Sequence, residues 1–333
     1  MIIVHSNSNK GLEAGLMTKK RVLVCGASGF IGRNIFERLS ERKDIELIGT
    51  YHNNRFSSDP RLVKVDLTDK HEVNELLKGV DILIQAAAVT SGSKQIKERP
   101  FIHITDNGIM NLLMYQASFD QRIGMVIFFS CSVMYPGGDK PAKESDLNLN
   151  DGMHPTYFGA GWTKIYLEKM CDFYSRLGRT KFLVIRHSNI YGPYDKYDLE
   201  KSHMFGANVT KVMTAKDGDE ITVWGTGQEK RDLVYVSDLV DFVELAMAKQ
   251  DRDSFDLVNV GCGEALSVND IISKIITASG KNLSLAHNVT GPTIPVSITL
   301  DATRAKDIYG WQPKVSLDTG IARTIDWYRK NIL

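Results

Sequence analysis

The sequence predicts an α/β fold in which a doubly wound parallel sheet precedes a smaller C-terminal domain. Short apolar segments alternate with helical segments over the first 190 residues, and parallel strands need such long crossover connections. The apolar segments are continuous rather than alternating, as expected of strands that are covered on both faces. A glycine-rich segment at 26–32 joins the first strand to the first helix, which is typical of a Rossmann-type sheet.

The individual elements follow from local composition and periodicity. Apolar runs predict strands at 21–25, 45–50, 62–65, 81–84, 125–129 and 182–186. Helical patterning predicts helices at 33–41, 72–78, 107–117, 161–177, 238–248 and 268–279. After about residue 192 the alternation gives way to shorter, mixed segments, which indicates a change of architecture.

Composition and charge exclude several classes of protein. The 333 residues carry 41 basic and 40 acidic side chains, a net charge of +1, so we expect neither a nucleic-acid nor a membrane partner. No apolar stretch reaches the about 18 residues of a membrane-spanning helix, and the first twenty residues lack a signal-peptide core. The four cysteines have neither metal-ligand spacing nor disulfide density. We expect a cytoplasmic protein without a metal.

Gly26, Gly29 and Gly32 form a GxxGxxG motif between the first strand and the first helix. Glycines at this spacing permit a tight turn and let the backbone approach a pyrophosphate at the helix N-terminus. The motif therefore predicts a dinucleotide site. We divide the chain into an extension at 1–19, a dinucleotide-binding domain at 20–190 to which later strands could contribute, and a partly discontinuous substrate domain at 191–333.

The residue type at the end of the second strand indicates which of the two nicotinamide cofactors binds. An acidic residue there binds the ribose hydroxyl of NAD, whereas a basic residue accommodates the phosphate of NADP. The segment 50–55 has no acid and ends in Arg55, and Arg33 follows the last glycine, so NADP is slightly favoured. Both arginines could equally be surface residues. Asp66, after the third strand, is either an adenine contact or a turn residue.

Several motifs together resemble the extended short-chain dehydrogenase/reductase family, whose members include NAD-dependent epimerases and dehydratases of nucleotide-diphosphate sugars. They are GxxGxxG, the alanines at 86–88, RHSNIYGP at 186–193, RDLVYVSD at 231–238 and NVGCG at 259–263. Within that family, the segments 189–203 and 223–227 are most similar to GDP-L-fucose synthases. The resemblance implies a Rossmann fold, an NAD(P)(H) cofactor, a GDP-sugar substrate and a homodimer.

The resemblance also implies the binding residues. It places the cofactor against Gly26, Ser28, Gly29, Phe30, Ile31, Gly32, Arg33, Arg55, Asp66, Leu67, Ala86, Ala87, Ala88 and Lys164. It places the sugar nucleotide against Thr90, Ser91, Asn189, His203, Lys211, Trp224 and Arg231, with His203 as a proton donor. An arginine on the diphosphate agrees with the match between guanidinium and phosphate geometry. Alternatively, Trp224 is a core aromatic residue and Arg231 pairs with Asp232 or Asp238.

The sequence departs from the family at the catalytic Tyr-x-x-x-Lys motif. Lys164 is the lysine, but Ala160 stands four residues before it; an introduced substitution would also explain this alanine. Tyr157, seven residues before Lys164, would share its helical face, at about 10 Å along the axis. We take Tyr157 as the proton-transferring residue, tuned by Lys164; the alternative is an aromatic residue at the cleft edge.

The family's Ser/Thr position is also altered. Cys131 occupies it, with Ser132 as the alternative hydroxyl. Fucose synthases have an epimerising cysteine where this chain has Val133, which cannot transfer a proton. Cys131 is either a displaced base or an inert buried thiol.

Taken together, the residues predict hydride transfer at a sugar carbon, with C4 of a GDP-sugar favoured. A nucleotide-sugar 4-dehydrogenase, or an epimerase without net reduction, is an alternative. A different class of protein, which binds cofactor and sugar nucleotide but has lost turnover, is also open because of Ala160.

Overall fold

A parallel sheet of seven strands, in the order β11-β6-β5-β4-β1-β2-β3, forms the centre of the molecule. The computed structural model describes residues 19–90, 98–199, 201–249, 251–291 and 293–333. The strands are β1 (Lys20–Cys25), β2 (Ile45–Tyr51), β3 (Leu62–Lys64), β4 (Ile82–Gln85), β5 (Met125–Phe129), β6 (Lys181–His187), β7 (Asn189–Tyr191), β8 (Glu220–Trp224), β9 (Lys230–Arg231), β10 (Leu233–Tyr235), β11 (Phe255–Val260), β12 (Leu266–Ser267) and β13 (Ser284–Asn288).

Helices cover both faces of this sheet. They are α1 (Phe30–Ser40), α2 (Lys70–Leu76), α3 (Thr105–Asp120), α4 (Phe158–Arg176), α5 (Met204–Thr214), α6 (Val236–Ala248), α7 (Val268–Ser279), α8 (Thr303–Tyr309) and α9 (Leu317–Asn331). One apolar cluster joins the sheet to α1, α6 and α8, and a second joins it to α2, α3 and α4. The predicted doubly wound α/β fold is therefore confirmed.

The strands at the centre of the sheet are buried along their whole length. Every residue of β4 and β5 is buried, which explains why their sequences are continuously apolar rather than alternating. The predicted bounds of β5 and α7 agree with the structure, whereas other elements differ at their ends. One difference affects the site, because α4 begins at residue 158 rather than at 161.

A third apolar cluster lies in the later part of the chain. It is formed by α5, α7 and α9 with the pairs β7-β10 and β8-β13. The chain nevertheless returns to the central sheet, since β11 pairs with β6 along its whole length and α6 packs against α1. The division at residue 190 stays a prediction, and the later segment contributes an edge strand to the sheet.

Candidate active site

The GxxGxxG segment forms a turn with no room for side chains at two of its glycines. Gly26 has a φ of +73°, and a Cβ there would lie 2.7 Å from the Cα of Ala87. A Cβ on Gly32 would lie 2.1 Å from the carbonyl oxygen of Gly26. Gly29 is the N-cap of α1, and no side chain caps this helix end. The open helix N-terminus and the bare backbone before it fit a dinucleotide pyrophosphate.

The flat guanidinium of Arg33 lies between two aromatic rings. Its central carbon is 4.4 Å from the ring centre of Phe56 and 3.8 Å from that of Tyr194. Nε donates to Glu37 at 3.0 Å, and the two terminal nitrogens donate to none of the residues that the structure describes. Arg55 is exposed and donates to the carbonyl of Asp59 at 2.8 Å. Both arginines therefore keep donors that could reach a phosphate.

Two predicted cofactor contacts after the third strand, Asp66 and Leu67, have different surroundings. Asp66 accepts hydrogen bonds at Oδ1 from the backbone and hydroxyl of Thr68, at 2.9 and 2.6 Å. These bonds lower the pKa of the Asp66 carboxyl. Leu67 is buried in the core. Asp66 thus has the contacts of a turn residue, and its second carboxylate oxygen accepts no bond from the described residues.

Lys164 is held at the carboxyl end of the sheet. Its Nζ donates to the carbonyl of Phe129 at 2.7 Å, and it lies 4.7 Å from the ring centre of Phe128. Burial lowers the pKa of Lys164, against the opposing effect of the Cys131 thiol. Burial in turn raises the pKa of Cys131, while Lys164 and the backbone N–H of Val133 lower it. The structure therefore brings Lys164 and Cys131 together.

Ser132 differs from its neighbour Cys131 in its contacts. It is half-buried, and its hydroxyl makes no hydrogen bond to the described residues. Its carbonyl accepts from the backbone of Tyr135 at 3.0 Å. Ser132 remains a candidate donor, but the thiol of Cys131 is the group that interacts with Lys164.

Tyr157 does not lie on the helix that carries Lys164. It ends a 3₁₀ turn over Pro155–Tyr157, directly before α4, so the expected shared helical face is wrong. Burial raises the pKa of Tyr157, the charge of Arg231 lowers it, and Cys131 raises it. Lys164 is not among the groups that shift it. The structure therefore places Tyr157 within electrostatic reach of Cys131 and Arg231.

A buried network of hydrogen bonds and an ion pair near Lys164 was not predicted from the sequence. Ser130 donates to Glu168 at 2.5 Å, and Arg186 pairs with the other oxygen of Glu168 at 2.6 Å. Arg186 also donates to the hydroxyl of Tyr135 at 2.7 Å. Glu168 follows Lys164 by one turn of α4, so the network fixes this helix against the ends of β5 and β6. Two charged residues inside otherwise apolar patterns, Glu168 and Arg186, were the available signal.

His203 stands immediately before α5, and the residue as a whole is partly accessible to solvent. Desolvation lowers its pKa to about 4, and Lys196 and His103 add to this effect. Lys196 donates to the carbonyl and hydroxyl of Thr90, at 2.8 and 3.1 Å. Lys196 was not predicted. It joins the segment after β7 to the segment after β4, so both lie near His203. Ser91 lies outside the described residues.

Three other predicted substrate contacts lie on three elements. Asn189 begins β7, Lys211 is on α5 and Trp224 ends β8. Asn189 is exposed, and its amide donates to the carbonyl of Asp232 at 3.0 Å. Lys211 donates to the carbonyl of Thr222 at 2.7 Å and lies 5.1 Å from the ring centre of Trp224. Trp224 is half-buried and belongs to none of the three apolar clusters. The structure therefore does not support the alternative that Trp224 is a core aromatic residue.

Arg231 binds backbone carbonyls rather than carboxylates. It donates to Lys230 at 2.8 Å, to Val296 at 2.7 Å and to Ile294 at 3.0 Å. The alternative that Arg231 pairs with an acid is wrong. Asp232 accepts from the backbone of Cys262 and Leu300, and Asp238 accepts from the backbone of 314 and 315. Among the described residues, no carboxylate pairs with the Arg231 charge.

Neither a metal centre nor a membrane span is found in the described part of the chain. It contains no group of three or more His, Cys, Asp or Glu side chains that could hold a metal ion. None of its helices is long and apolar enough to cross a bilayer. A cavity of about 820 Å³ between α4 and α8 is lined by charges of both signs and contains none of the candidate site residues.

The chain is similar to nucleotide-sugar enzymes over nearly its whole length. It is 26% identical to the GDP-L-colitose synthase of Yersinia pseudotuberculosis, covering 92% of this chain and 97% of that protein. It is 25% identical to the GDP-L-fucose synthase of Escherichia coli K12, covering 95% and 98%. The NAD complex of the UDP-glucose 4-epimerase from Thermus thermophilus has a TM-score of 0.80, at 23% identity and with 94% and 100% covered.

The family model of the NAD dependent epimerase/dehydratase family matches residues 22–261. This range begins in β1, contains the glycine turn, Cys131, Lys164 and Arg231, and ends directly after β11. The resemblance inferred from the motifs is thereby confirmed, and the chain belongs to the NAD dependent epimerase/dehydratase family.

Proposed function

We propose that the protein is a cytoplasmic oxidoreductase or epimerase that transfers hydride at C4 of a GDP-linked sugar. One observation carries this proposal. The charge of Arg231, which no described carboxylate pairs with, lowers the pKa of the half-buried Tyr157, and Tyr157 also interacts electrostatically with Cys131, which in turn interacts with Lys164. A phenol that interacts with a cationic side chain suited to a diphosphate could transfer a proton at a sugar oxygen bound there.

The chain's own residues divide the work of such a reaction. The glycine turn and the start of α1 would hold the dinucleotide, and the nicotinamide supplies or accepts the hydride when bound. Arg231 and Lys211 would bind the substrate diphosphate, since both are cations held by backbone carbonyls. Tyr157 would exchange the proton at the sugar oxygen. Burial keeps its hydroxyl protonated at neutral pH, which suits a proton donor in the reductive direction.

We assign NADP as the favoured cofactor. The support is Arg33, whose faces are covered by Phe56 and Tyr194 while its terminal nitrogens stay available. Such a guanidinium can bind a ribose phosphate in the plane of its fork. Arg55, which is exposed, would add a second positive charge.

We propose that the nucleobase of the substrate is guanine. We also propose that the net reaction is hydride transfer without proton exchange at a neighbouring sugar carbon. Relatives named GDP-L-colitose synthase and GDP-L-fucose synthase support the nucleotide. Trp224, close to Lys211, offers an aromatic face beside the diphosphate contacts. Val133 has no proton to exchange, which favours hydride transfer at one carbon over epimerisation at neighbouring carbons. Ala160 keeps a second candidate open, a binding protein without turnover.

We propose a homodimer that forms through α3 and α4. Exposed apolar side chains follow one face of α4 at spacings of four, four, seven and four residues. They are Phe158, Trp162, Tyr166, Phe173 and Leu177, and Ile104 and Ile109 extend the patch at α3. A row of exposed apolar side chains of this kind is typical of an interface. Trp162→Glu with Phe173→Glu should give a monomer in analytical ultracentrifugation; a monomeric wild type would contradict the homodimer.

Native mass spectrometry of the purified protein tests the proposed function without assuming a substrate. We expect co-purified or added NADP and GDP-sugars to bind, with one site of each per chain. Arg231→Ala should lose the GDP ligand and keep the dinucleotide. If neither ligand class binds the wild type, the proposal is wrong.

A further inference from the structure

The turn that follows β7 has a tyrosine at a position that favours glycine. The backbone N–H of Asp195 donates to the carbonyl of Gly192 at 3.3 Å, which closes a turn with Pro193 and Tyr194 at its centre. Tyr194 has a φ of +69°. Proline at the second position of a turn and a positive φ at the third are typical of a type II turn, whose third position favours glycine. Such a conformation persists in another residue only where the surrounding structure holds it.

The ring of Tyr194 contacts a cation of α1 and an aromatic residue of α9. The guanidinium carbon of Arg33 lies 3.8 Å from its centre. The ring centre of Trp327 lies 5.0 Å from it, at an interplanar angle of 79°, which is the edge-to-face arrangement that aromatic pairs favour. Tyr194 therefore connects Trp327 with Arg33.

Trp327 is held by the same segment and by its own helix. Its ring centre lies 5.6 Å from that of Tyr197, whose hydroxyl donates to the carbonyl of Gly192 at 2.8 Å. Its neighbours on α9, Ile325 and Tyr328, are buried in the third apolar cluster. The turn around Tyr194 thus packs against a side chain that is fixed in the later part of the chain.

The other contacts of Arg33 restrict its guanidinium before any ligand binds. The ring centre of Phe56 lies 4.4 Å from the guanidinium carbon, and Phe56 packs against Phe36 of α1, with 6.0 Å between the ring centres. Nε donates to Glu37 at 3.0 Å. A side chain that is ordered in advance loses less entropy when it binds a ligand, and the planar fork of arginine suits phosphate oxygens.

We propose that Trp327 is a positioning residue that acts through Tyr194 to favour a dinucleotide with a ribose phosphate over one without it. This inference rests on the proposed role of Arg33 as the NADP contact. Without Trp327, the Tyr194 backbone can relax to a negative φ, which moves the ring away from Arg33. The entropy of ordering Arg33 then opposes the binding of NADP. NAD offers this side chain no phosphate, so its binding is unaffected.

Cofactor titrations of variants on α9 test the role of Trp327. Trp327→Leu should lower NADP affinity about threefold to tenfold, the effect of releasing one long side chain, and leave NAD affinity unchanged. Trp327→Phe keeps an aromatic ring beside Tyr194 and should retain most of the wild-type ratio of NADP to NAD affinity. Ile325→Ala is the matched control for damage to the helix. It should lower the melting temperature and leave the ratio unchanged.

Tyr194→Gly removes the ring and preserves the turn, because glycine adopts a positive φ without strain. The ratio of NADP to NAD affinity should fall at least as far as in Trp327→Leu. An unchanged ratio would overturn the role of Tyr194 and with it that of Trp327.

A double-mutant cycle shows whether Trp327 acts through Arg33. In an Arg33→Met background, Trp327→Leu should change the ratio of NADP to NAD affinity no further. The positioning role is wrong if Trp327→Leu lowers the ratio equally in both backgrounds. It is also wrong if Trp327→Leu alone weakens both cofactors by the same factor, which is the result expected of a purely structural residue.

An NMR measurement on the free protein separates this inference from the proposed cofactor. The Nε–H group of Arg33 should show the heteronuclear NOE of an ordered side chain, and Trp327→Leu should lower it, whereas Ile325→Ala should not. If Arg33 stays as ordered in Trp327→Leu as in the wild type, the positioning role is wrong whichever cofactor binds. If Trp327→Leu releases Arg33 but the wild type binds NADP and NAD equally, the proposed NADP preference is wrong and the effect on cofactor choice fails with it.

Discussion

The guanidinium of Arg33 lies 3.8 Å from the ring centre of Tyr194, which joins the start of α1 to the segment that follows β7. Asn34, the next residue of α1, donates to the carbonyl of Pro193 at 2.9 Å. Tyr194 itself adopts a φ of +69°, which is uncommon for a residue other than glycine. Two residues further on, Lys196 binds Thr90. The short segment 193–196 therefore contacts both the start of α1 and Thr90, which follows β4.

Arg33→Met should change the cofactor preference. The apolar side chain keeps much of the contact with Tyr194 and Phe56 but cannot bind a ribose phosphate. We expect NADP affinity to fall by about 1.5–3 kcal/mol, the contribution of charge-assisted hydrogen bonds, while NAD affinity stays unchanged. Isothermal titration calorimetry with both cofactors measures this. Equal losses for NADP and NAD would show that Arg33 acts through packing alone, and Arg55→Met should have the smaller effect.

Substitutions at Gly32 and Gly29 should have different effects, the first on stability and the second on cofactor binding. Gly32→Ala places a Cβ 2.1 Å from the Gly26 carbonyl, so we expect a clear fall in melting temperature. Gly29→Ala meets only a 3.3 Å contact with the same oxygen, so the fold should survive while cofactor binding is lost, because the pyrophosphate must approach here. Thermal melts and cofactor titrations separate the two. Normal cofactor affinity in a bulky Gly29 variant would contradict the site.

Arg231→Ala should weaken the sugar nucleotide and spare the cofactor. We expect a loss of about 2–5 kcal/mol, the range for truncating one partner of a buried charge pair. Lys230→Ala, at the exposed neighbouring position, is the matched control. The contacts of Arg231 with the carbonyls of 294 and 296 raise a structural alternative. That alternative predicts weaker binding of both ligands together with a lower melting temperature.

Tyr157→Phe should lower turnover by about 10²–10⁴, with little change in substrate affinity. Since burial raises the pKa of Tyr157, the protonated donor persists to alkaline pH. In the pH–rate profile of the reductive reaction, the wild-type rate should therefore decrease only at alkaline pH. This alkaline decrease should be absent from Tyr157→Phe. Tyr174→Phe, further along α4, is the control. Near-normal turnover in Tyr157→Phe would assign the proton to Ser132, Cys131, His203 or water.

The sequence predicted the sheet and the glycine turn because their signals are local. Continuous apolar runs can only be buried strands or helices, and GxxGxxG has a defined place between a strand and a helix. The position of Tyr157 was wrongly predicted from helical phase, because a 3₁₀ turn ends where α4 begins. The partners of Arg231 could not be read from its neighbours Asp232 and Asp238, since those carboxylates bind backbone amides distant in sequence. Lys196 belongs to no motif, so its contact with Thr90 could be found only in the structure.

Transfer of deuterium from cofactor to sugar tests the central claim most directly. The protein is incubated with NADPH or NADH deuterated at C4 of the nicotinamide and with GDP-, UDP- and dTDP-linked 4-keto sugars, and the products are analysed by mass spectrometry and NMR. We predict one deuterium on C4 of the GDP-sugar, faster with NADPH than with NADH, and strongly reduced in Tyr157→Phe. Absence of deuterium from every sugar, while both ligands bind, would contradict hydride transfer and favour a binding protein.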